Sequence, residues 1–245
     1  MEAPVVLVTG GTSGIGQSVA ELLSASGWRV HVLARSARPS EAPSQGITQW
    51  RGDTRRAEDL ADVVKAVVGH SGRLNGLVCC AGIAASGPFE QQTAEALDDL
   101  LRTNVLGTML TCQAALEHLK AARGAIVLIG STLADHPRPL TSAYAATKGA
   151  LDSFAKALAV EYGPYGVRVN CVRPSMVRTE LMLKSGIEPQ NYAAALLLRA
   201  ESYPLRRVGM PEDVARTVRF LLSDESSWTT GSIVDVDGGH SAAGS

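Results

Sequence analysis

Val5-Val6-Leu7-Val8-Thr9-Gly10-Gly11-Thr12-Ser13-Gly14-Ile15-Gly16 is the stretch on which the fold reading turns. Four apolar, mostly β-branched residues behind Pro4 have the pattern of a strand buried on both faces. The glycines that follow allow a tight turn and let a phosphate approach the backbone closely. An apolar-periodic segment runs on through Leu23, so the turn opens a helix whose free N–H groups and positive end favour an anion. The spacing G-x-x-x-G-x-G departs from the commoner G-x-G-x-x-G fingerprint. Between a first strand and a first helix it still predicts a nucleotide site, built around Gly10, Thr12, Ser13, Gly14, Ile15 and Gly16.

Outward from that unit, strands and helices alternate. Further strands are expected over Arg29 to Ala34, Ile47 to Trp50, Leu74 to Cys80, Ala125 to Ile129, Val167 to Val172 and Ile233 to Val236. Between them fall helical patterns over Ala57 to Val68, Thr93 to Leu119 with Asn104 inside, and Ser142 to Tyr162. Further helices are expected in an excursion over Thr179 to Ala200 and, with Pro at its start, over Pro211 to Leu222. The alternation predicts one α/β domain over residues 1–245: a doubly wound parallel sheet of about seven strands, helices on both faces. Such a sheet binds ligands beyond the carboxyl ends of its strands, and the candidate motifs all lie there.

One of those motifs carries acid–base chemistry. Ser131 follows the fifth strand, and Tyr144 and Lys148 stand four residues apart on one face of the next helix. A free phenol titrates near ~10, and a neighbouring cation favours the phenolate. The three side chains therefore suit proton transfer at a carbonyl or alcohol oxygen.

Composition narrows the classes. The 245-residue chain is 45% hydrophobic and 19% charged with a formal net charge of −1, which argues against nucleic-acid or anionic-membrane binding. Met1 to Pro4 lacks a basic region and no apolar run approaches a membrane span, so a cytoplasmic protein without a signal peptide is expected. Cys79, Cys80, Cys112 and Cys171 have no metal-ligand spacing and are expected to be reduced core residues, so no metal is expected.

The motifs together resemble the short-chain dehydrogenase/reductase family, including its 3-oxoacyl-(acyl-carrier-protein) reductase-like members, over nearly the whole chain. Gly10, Gly14 and Gly16 match its glycine pattern, and Asp53 with Thr54 its adenine-contacting acid. Ala81-Gly82 matches the remnant of its Asn-Ala-Gly turn, and Asn104 its helix asparagine. Ser131, Tyr144 and Lys148 match its Ser…Tyr-x-x-x-Lys, and Pro174, Val177 and Thr179 its nicotinamide loop. The segments around Pro204–Gly209, Pro211–Ala215, Phe220–Ser223, Thr230-Gly231 and the closing Asp237-Gly238-Gly239 also match. Cys79-Cys80 stand where the family commonly has two asparagines, which changes the bonding between strands. Ser175 replaces the family's glycine, placing a side chain near the nicotinamide.

The resemblance implies a Rossmann-like, NADP(H)- or NAD(H)-dependent oxidoreductase acting on a carbonyl or secondary alcohol. Tyr144 is then the proton donor or acceptor, Ser131 polarises the substrate oxygen, Lys148 tunes Tyr144 and holds the ribose, and Asn104 holds a water. Ala34 occupies the position of the acid that marks NAD-type members, and Arg35 follows it, so NADP(H) is expected. Leu133, Leu140, Met176, Leu181 and Met182 suggest a hydrophobic ketone or 3-oxoacyl substrate, with Arg138, Arg178 and Lys184 placed to meet an acidic carrier. An NAD-dependent alcohol or sugar dehydrogenase, or a silent nucleotide-binding regulator, are the alternatives. Leu106, Leu110, Leu151, Phe154 and Leu158 are expected to exceed what one sheet face needs, pointing to a homo-oligomer, most simply a homotetramer.

Overall fold

The computed structural model describes residues 2–39, 46–181 and 188–243. Its first half consists of β1 (Val5–Thr9), α1 (Gly14–Ala25), β2 (Arg29–Ala34), β3 (Ile47–Arg51), α2 (Ala57–Ser71) and β4 (Gly76–Cys79). Its second half comprises α3 (Ala94–Leu101), α4 (Gly107–Ala122), β5 (Ala125–Ile129), α5 (Ser142–Tyr162) and β6 (Arg168–Pro174). It closes with α6 (Pro189–Ser202), α7 (Pro211–Leu222) and β7 (Ile233–Val236). The seven strands form one parallel sheet in the order β3-β2-β1-β4-β5-β6-β7. The order reverses direction between β1 and β4, where a crevice opens beyond the strand ends.

Why β1 is apolar throughout is visible in its two faces. Val5 and Leu7 join a core layer with Leu60 and Val64 of α2, Cys112 and Leu119 of α4, and Ala155 of α5. Val6 and Val8 point the other way, into a layer with Val19 and Leu23 of α1 and Val214, Val218 and Leu221 of α7. A two-residue side-chain period feeds both layers from one strand.

Four expectations are revised. The long helix after β4 is interrupted: α3 passes into a π-turn at Arg102–Leu106 before α4 resumes. β4 is shorter than expected, spanning Gly76–Cys79, and just ahead of it the Asn75 side chain accepts the Val5 N–H at 3.0 Å. Thr179 and Glu180 are not helical, and α6 starts only at Pro189, where a proline's missing N–H costs nothing. Leu151 and Leu158 are buried inside the fold, and Leu110 and Phe154 pack partly against the same core, so of that apolar set only Leu106 stands exposed.

Candidate active site

The glycine-rich turn is shaped by contacts that exclude side chains. Gly10 adopts a φ of 68°, and a Cβ there would sit 2.9 Å from the Ala81 backbone. A Cβ at Gly16 would run into the carbonyl oxygen of Gly10. The turn is thus pulled against both β4 and the start of α1. Ser13, the N-cap of α1, makes no side-chain capping bond, and the helix end opens into a cleft lined by Gly10, Ser13, Gly14 and Ile15. Free N–H donors at a helix start, with backbone in place of side chains, fit a dinucleotide pyrophosphate.

The cleft has a volume of about 610 Å³ and continues past Ala81, Gly82, Ser131, Tyr144, Lys148, Pro174, Val177 and Thr179. Its walls come from the loops after β1, β4, β5 and β6, from α5 and from α6. Of the other residues expected at a cofactor, Thr12, Gly16, Arg35, Asp53 and Thr54 do not line it, and neither does Asn104, expected among the catalytic residues. Thr12 instead meets Ser36 through their hydroxyls at 3.0 Å, and Arg35 is exposed at the end of β2. Arg55 binds both carboxylate oxygens of Asp53 and holds the carboxyl below its ordinary range. Thr54 is buried against Gly107.

Ser131 follows β5 by two residues in an extended conformation, and its Oγ accepts the Leu133 N–H at 3.2 Å, which leaves the hydroxyl hydrogen free to donate. Lys148 is buried, its Nζ donating to the Ile129 carbonyl at 2.8 Å and lying 5.6 Å from the Tyr144 ring centroid. That carbonyl uses one of three ammonium donors, so the charge is anchored under the phenol with capacity to spare. Asn104 sits in the π-turn, where the widened helix turns its amide toward the loop after β4. Its Oδ1 accepts the Ile83 N–H and its Nδ2 donates to the Ile83 carbonyl, both at 2.9 Å, with a second donation to Thr147 at 3.2 Å. Its main-chain carbonyl accepts the Thr108 hydroxyl at 2.9 Å.

The two departures from the family pattern have local solutions. Thr9 Oγ1 accepts the N–H groups of Cys80 and Ala81, each at 3.2 Å, tying the β4 turn without an asparagine amide. The Tyr203 hydroxyl meets Ser175 Oγ at 2.8 Å and accepts the Met176 N–H at 3.1 Å, which holds the extra side chain in place. The Tyr192 hydroxyl of α6 clamps Thr179, accepting its N–H at 3.0 Å and donating to its carbonyl at 2.8 Å. None of these roles leaves a sequence signature, because each joins side chains and loops that only folding brings together. Cys80 also departs from the expected core position: it lines the cleft, whereas Cys79, Cys112 and Cys171 are buried. Leu133, Met176 and Leu181 line the cleft as expected, but Leu140 is exposed outside it. Arg138 lines it and Arg178 does not; Met182 and Lys184 lie outside the described residues.

A family model described as enoyl-(acyl carrier protein) reductase matches residues 10–241. The chain is 36% identical to L-fucose dehydrogenase of Oryctolagus cuniculus, covering 96% of this chain and 84% of that protein. It is 33% identical to 3-oxoacyl-[acyl-carrier-protein] reductase of Mus musculus, covering 96% and 97%. The chain belongs to the short-chain dehydrogenase/reductase family. Among solved structures, ElxO with NADP bound superposes with a TM-score of 0.88 at 27% identity, covering 99% of this chain and 100% of that one. As a member of the short-chain dehydrogenase/reductase family, the protein is an NAD(P)-dependent oxidoreductase. No helix among the described residues is long and apolar enough to cross a membrane.

Proposed function

We propose that the protein is a cytosolic homotetramer that interconverts a hydrophobic ketone and its secondary alcohol with NADP(H). What carries this reading is that Ser131, Tyr144 and Lys148 open onto the same cleft as the glycine-rich turn. The pyrophosphate would lie at Gly14 and Ile15, and the nicotinamide when bound supplies or accepts hydride. The Ser131 hydroxyl donates a hydrogen bond to the substrate oxygen. Tyr144 gives that oxygen a proton during reduction and takes it back during oxidation, work typically worth ~10²–10⁴ in rate. Lys148, fixed by the Ile129 carbonyl, stabilises the negative charge that the phenol acquires. Asn104 positions the Ile83 segment and, through Thr147, the helix bearing Tyr144 and Lys148. Leu133, Met176 and Ala195 supply apolar walls, and α6, which begins inside the excursion expected over residues 179–200, covers the substrate. Tyr144→Phe should keep the fold and cofactor binding while losing nearly all turnover; near-wild-type kcat would overturn the assignment.

The preference for NADP(H) rests on the end of β2. Ala34 offers no carboxylate to repel a 2′-phosphate, and Arg35 stands exposed beside it. The Arg35 charge also acts on Asp53, which supports a role for it toward the adenosine end of the cofactor. A planar guanidinium there can bind a phosphate with two donors. Comparing kcat/KM for the two cofactors decides the matter, and Arg35→Ala should selectively damage the NADPH reaction. Equal damage to both, or faster reaction with NADH, would rule out the preference.

A further inference from the structure

We propose that the cleft contains an oxyanion subsite in which Arg138 and Arg199 bind an acidic group carried by the carbonyl or alcohol substrate. This rests on the oxidoreductase reading and specifies its substrate: a molecule with an apolar body and an anionic end. Arg138 lies in the loop between Ser131 and Tyr144, and Arg199 projects from α6 one turn after Ala195. Both arginines line the cleft, together with Ile83, Leu133 and Met176.

Among the described residues, neither guanidinium forms an ion pair with a carboxylate. Arg138 Nη2 meets His240 Nε2 at 2.7 Å. An arginine only donates, so His240 accepts through Nε2 and is a neutral ring in this contact. His240 is buried with its ring edge against Tyr203, 5.3 Å between centroids, so it props Arg138 from behind. The Arg199 charge opposes that of Arg138, and the Tyr203 hydroxyl favours it through a hydrogen bond. Burial and the Arg199 charge together hold the Arg138 guanidinium below its ordinary range, so the pair gains from a bound anion. His240 is likewise held below the usual histidine range, by burial first and then by Arg138 and Arg199.

Asp237 acts on His240, and Glu180 shares the lining of the cleft. Asp237 accepts the Gly239 N–H at 2.9 Å and the Ser241 N–H at 2.7 Å, one on each oxygen. Glu180 also lines the cleft, but it has a partner of its own and follows Thr179, which packs beside Gly14 at the phosphate turn. Two like charges converging at the apolar part of a catalytic cleft are unfavourable without an anion and become complementary with one.

The test uses protein saturated with NADPH, so that the cofactor's own phosphates are already in place. Wild-type turnover is measured with straight-chain methyl-ketone carboxylates of increasing length, with their methyl esters and with the matching sulfonates. Binding of the same compounds is measured calorimetrically in Tyr144→Phe, where chemistry does not intervene. At least one acid should bind and react on the order of 10–100-fold better than its ester, the range expected for charged hydrogen bonds. Arg199→Leu should collapse that ratio toward one through KM and weakened binding, and Arg199→Lys should restore part of it. A carboxylate preferred over the sulfonate identifies an oxo or hydroxy acid; the reverse identifies a more strongly acidic oxyanion. Equal affinity for acid and ester, or an acid preference that survives both Arg138→Leu and Arg199→Leu, overturns the subsite. Selective anion binding by a protein that reduces no carbonyl instead overturns the oxidoreductase reading while leaving the subsite standing.

Discussion

His31 shows how a single side chain sets a pH limit on this fold. It lies inside β2, where its Nδ1 accepts the Trp50 Nε1–H at 3.0 Å and its Nε2 contacts the Ser71 hydroxyl at 2.8 Å. The Trp50 bond requires an unprotonated Nδ1, so a second proton would break it. Burial, with the neighbouring His70 and Arg29, accordingly pulls the His31 pKa down to about 4. Below the ordinary value of 6.5 the unfolded chain binds a proton that the folded chain refuses until about pH 4. Stability therefore rises with pH across that window and falls on acidification, by up to about 2 kcal/mol between pH 7 and pH 5. Urea unfolding at the two pH values checks this against His31→Gln, which keeps a donor and an acceptor but does not titrate. Equal losses in the two proteins would remove His31 as the cause.

At the scale of elements, the sheet's far side is joined by one buried cation. Arg173, near the end of β6, meets Asp235 of β7, Asp152 of α5 and Asp135 of the loop after Ser131. Its Nε–Asp235 contact is 2.7 Å and its Nη1–Asp152 contact 3.3 Å. Asp152 is the deepest of the three acids; burial raises its carboxyl above the ordinary range, and its Oδ1 has no hydrogen-bond partner among the described residues. Removing the arginine would leave that acid buried without a counter-charge. Arg173→Met should cost about 3 kcal/mol, the low end for a broken buried pair because Asp135 and Asp235 can be solvated. The effect is measured as a lowered urea midpoint. A cost below about 1 kcal/mol would mean that solvent already screens the cluster.

For the whole molecule, the apolar surface left uncovered bears on assembly. Leu101, Leu106 and Met109 are exposed along α3, the π-turn and α4, and Val160 is exposed on α5. Phe220 on α7 and Trp228 beyond it are exposed as well, Trp228 completely. Large apolar side chains in such groups mark surfaces that become buried on association. The expectation is a homotetramer, so light scattering should give four times the 25.7 kDa chain mass at micromolar concentration. Leu106→Arg with Trp228→Ser should shift the population toward smaller species. A chain-mass particle for the unmodified protein would overturn this expectation.

Much of the fold is determined by local chemistry and was readable along the chain. Strand and helix periods follow from backbone geometry over a few residues, so β1, β2, β5, α5 and α7 emerge within a residue or so of their expected limits. The glycine turn, and the four-residue spacing of Tyr144 and Lys148, are equally local. The tertiary structure decided what depends on distant partners. It set which core layer takes each alternate side chain of β1, and it opened a π-turn at Asn104 to clamp Ile83. It also tied the β4 turn through Thr9, held Ser175 with Tyr203, and brought His240 against Arg138. These pairings depend on sheet twist and loop path, which bring together residues separated by tens of positions. A hydrogen bond across such a distance imposes no period on the sequence, and only the assembled sheet supplies its geometry.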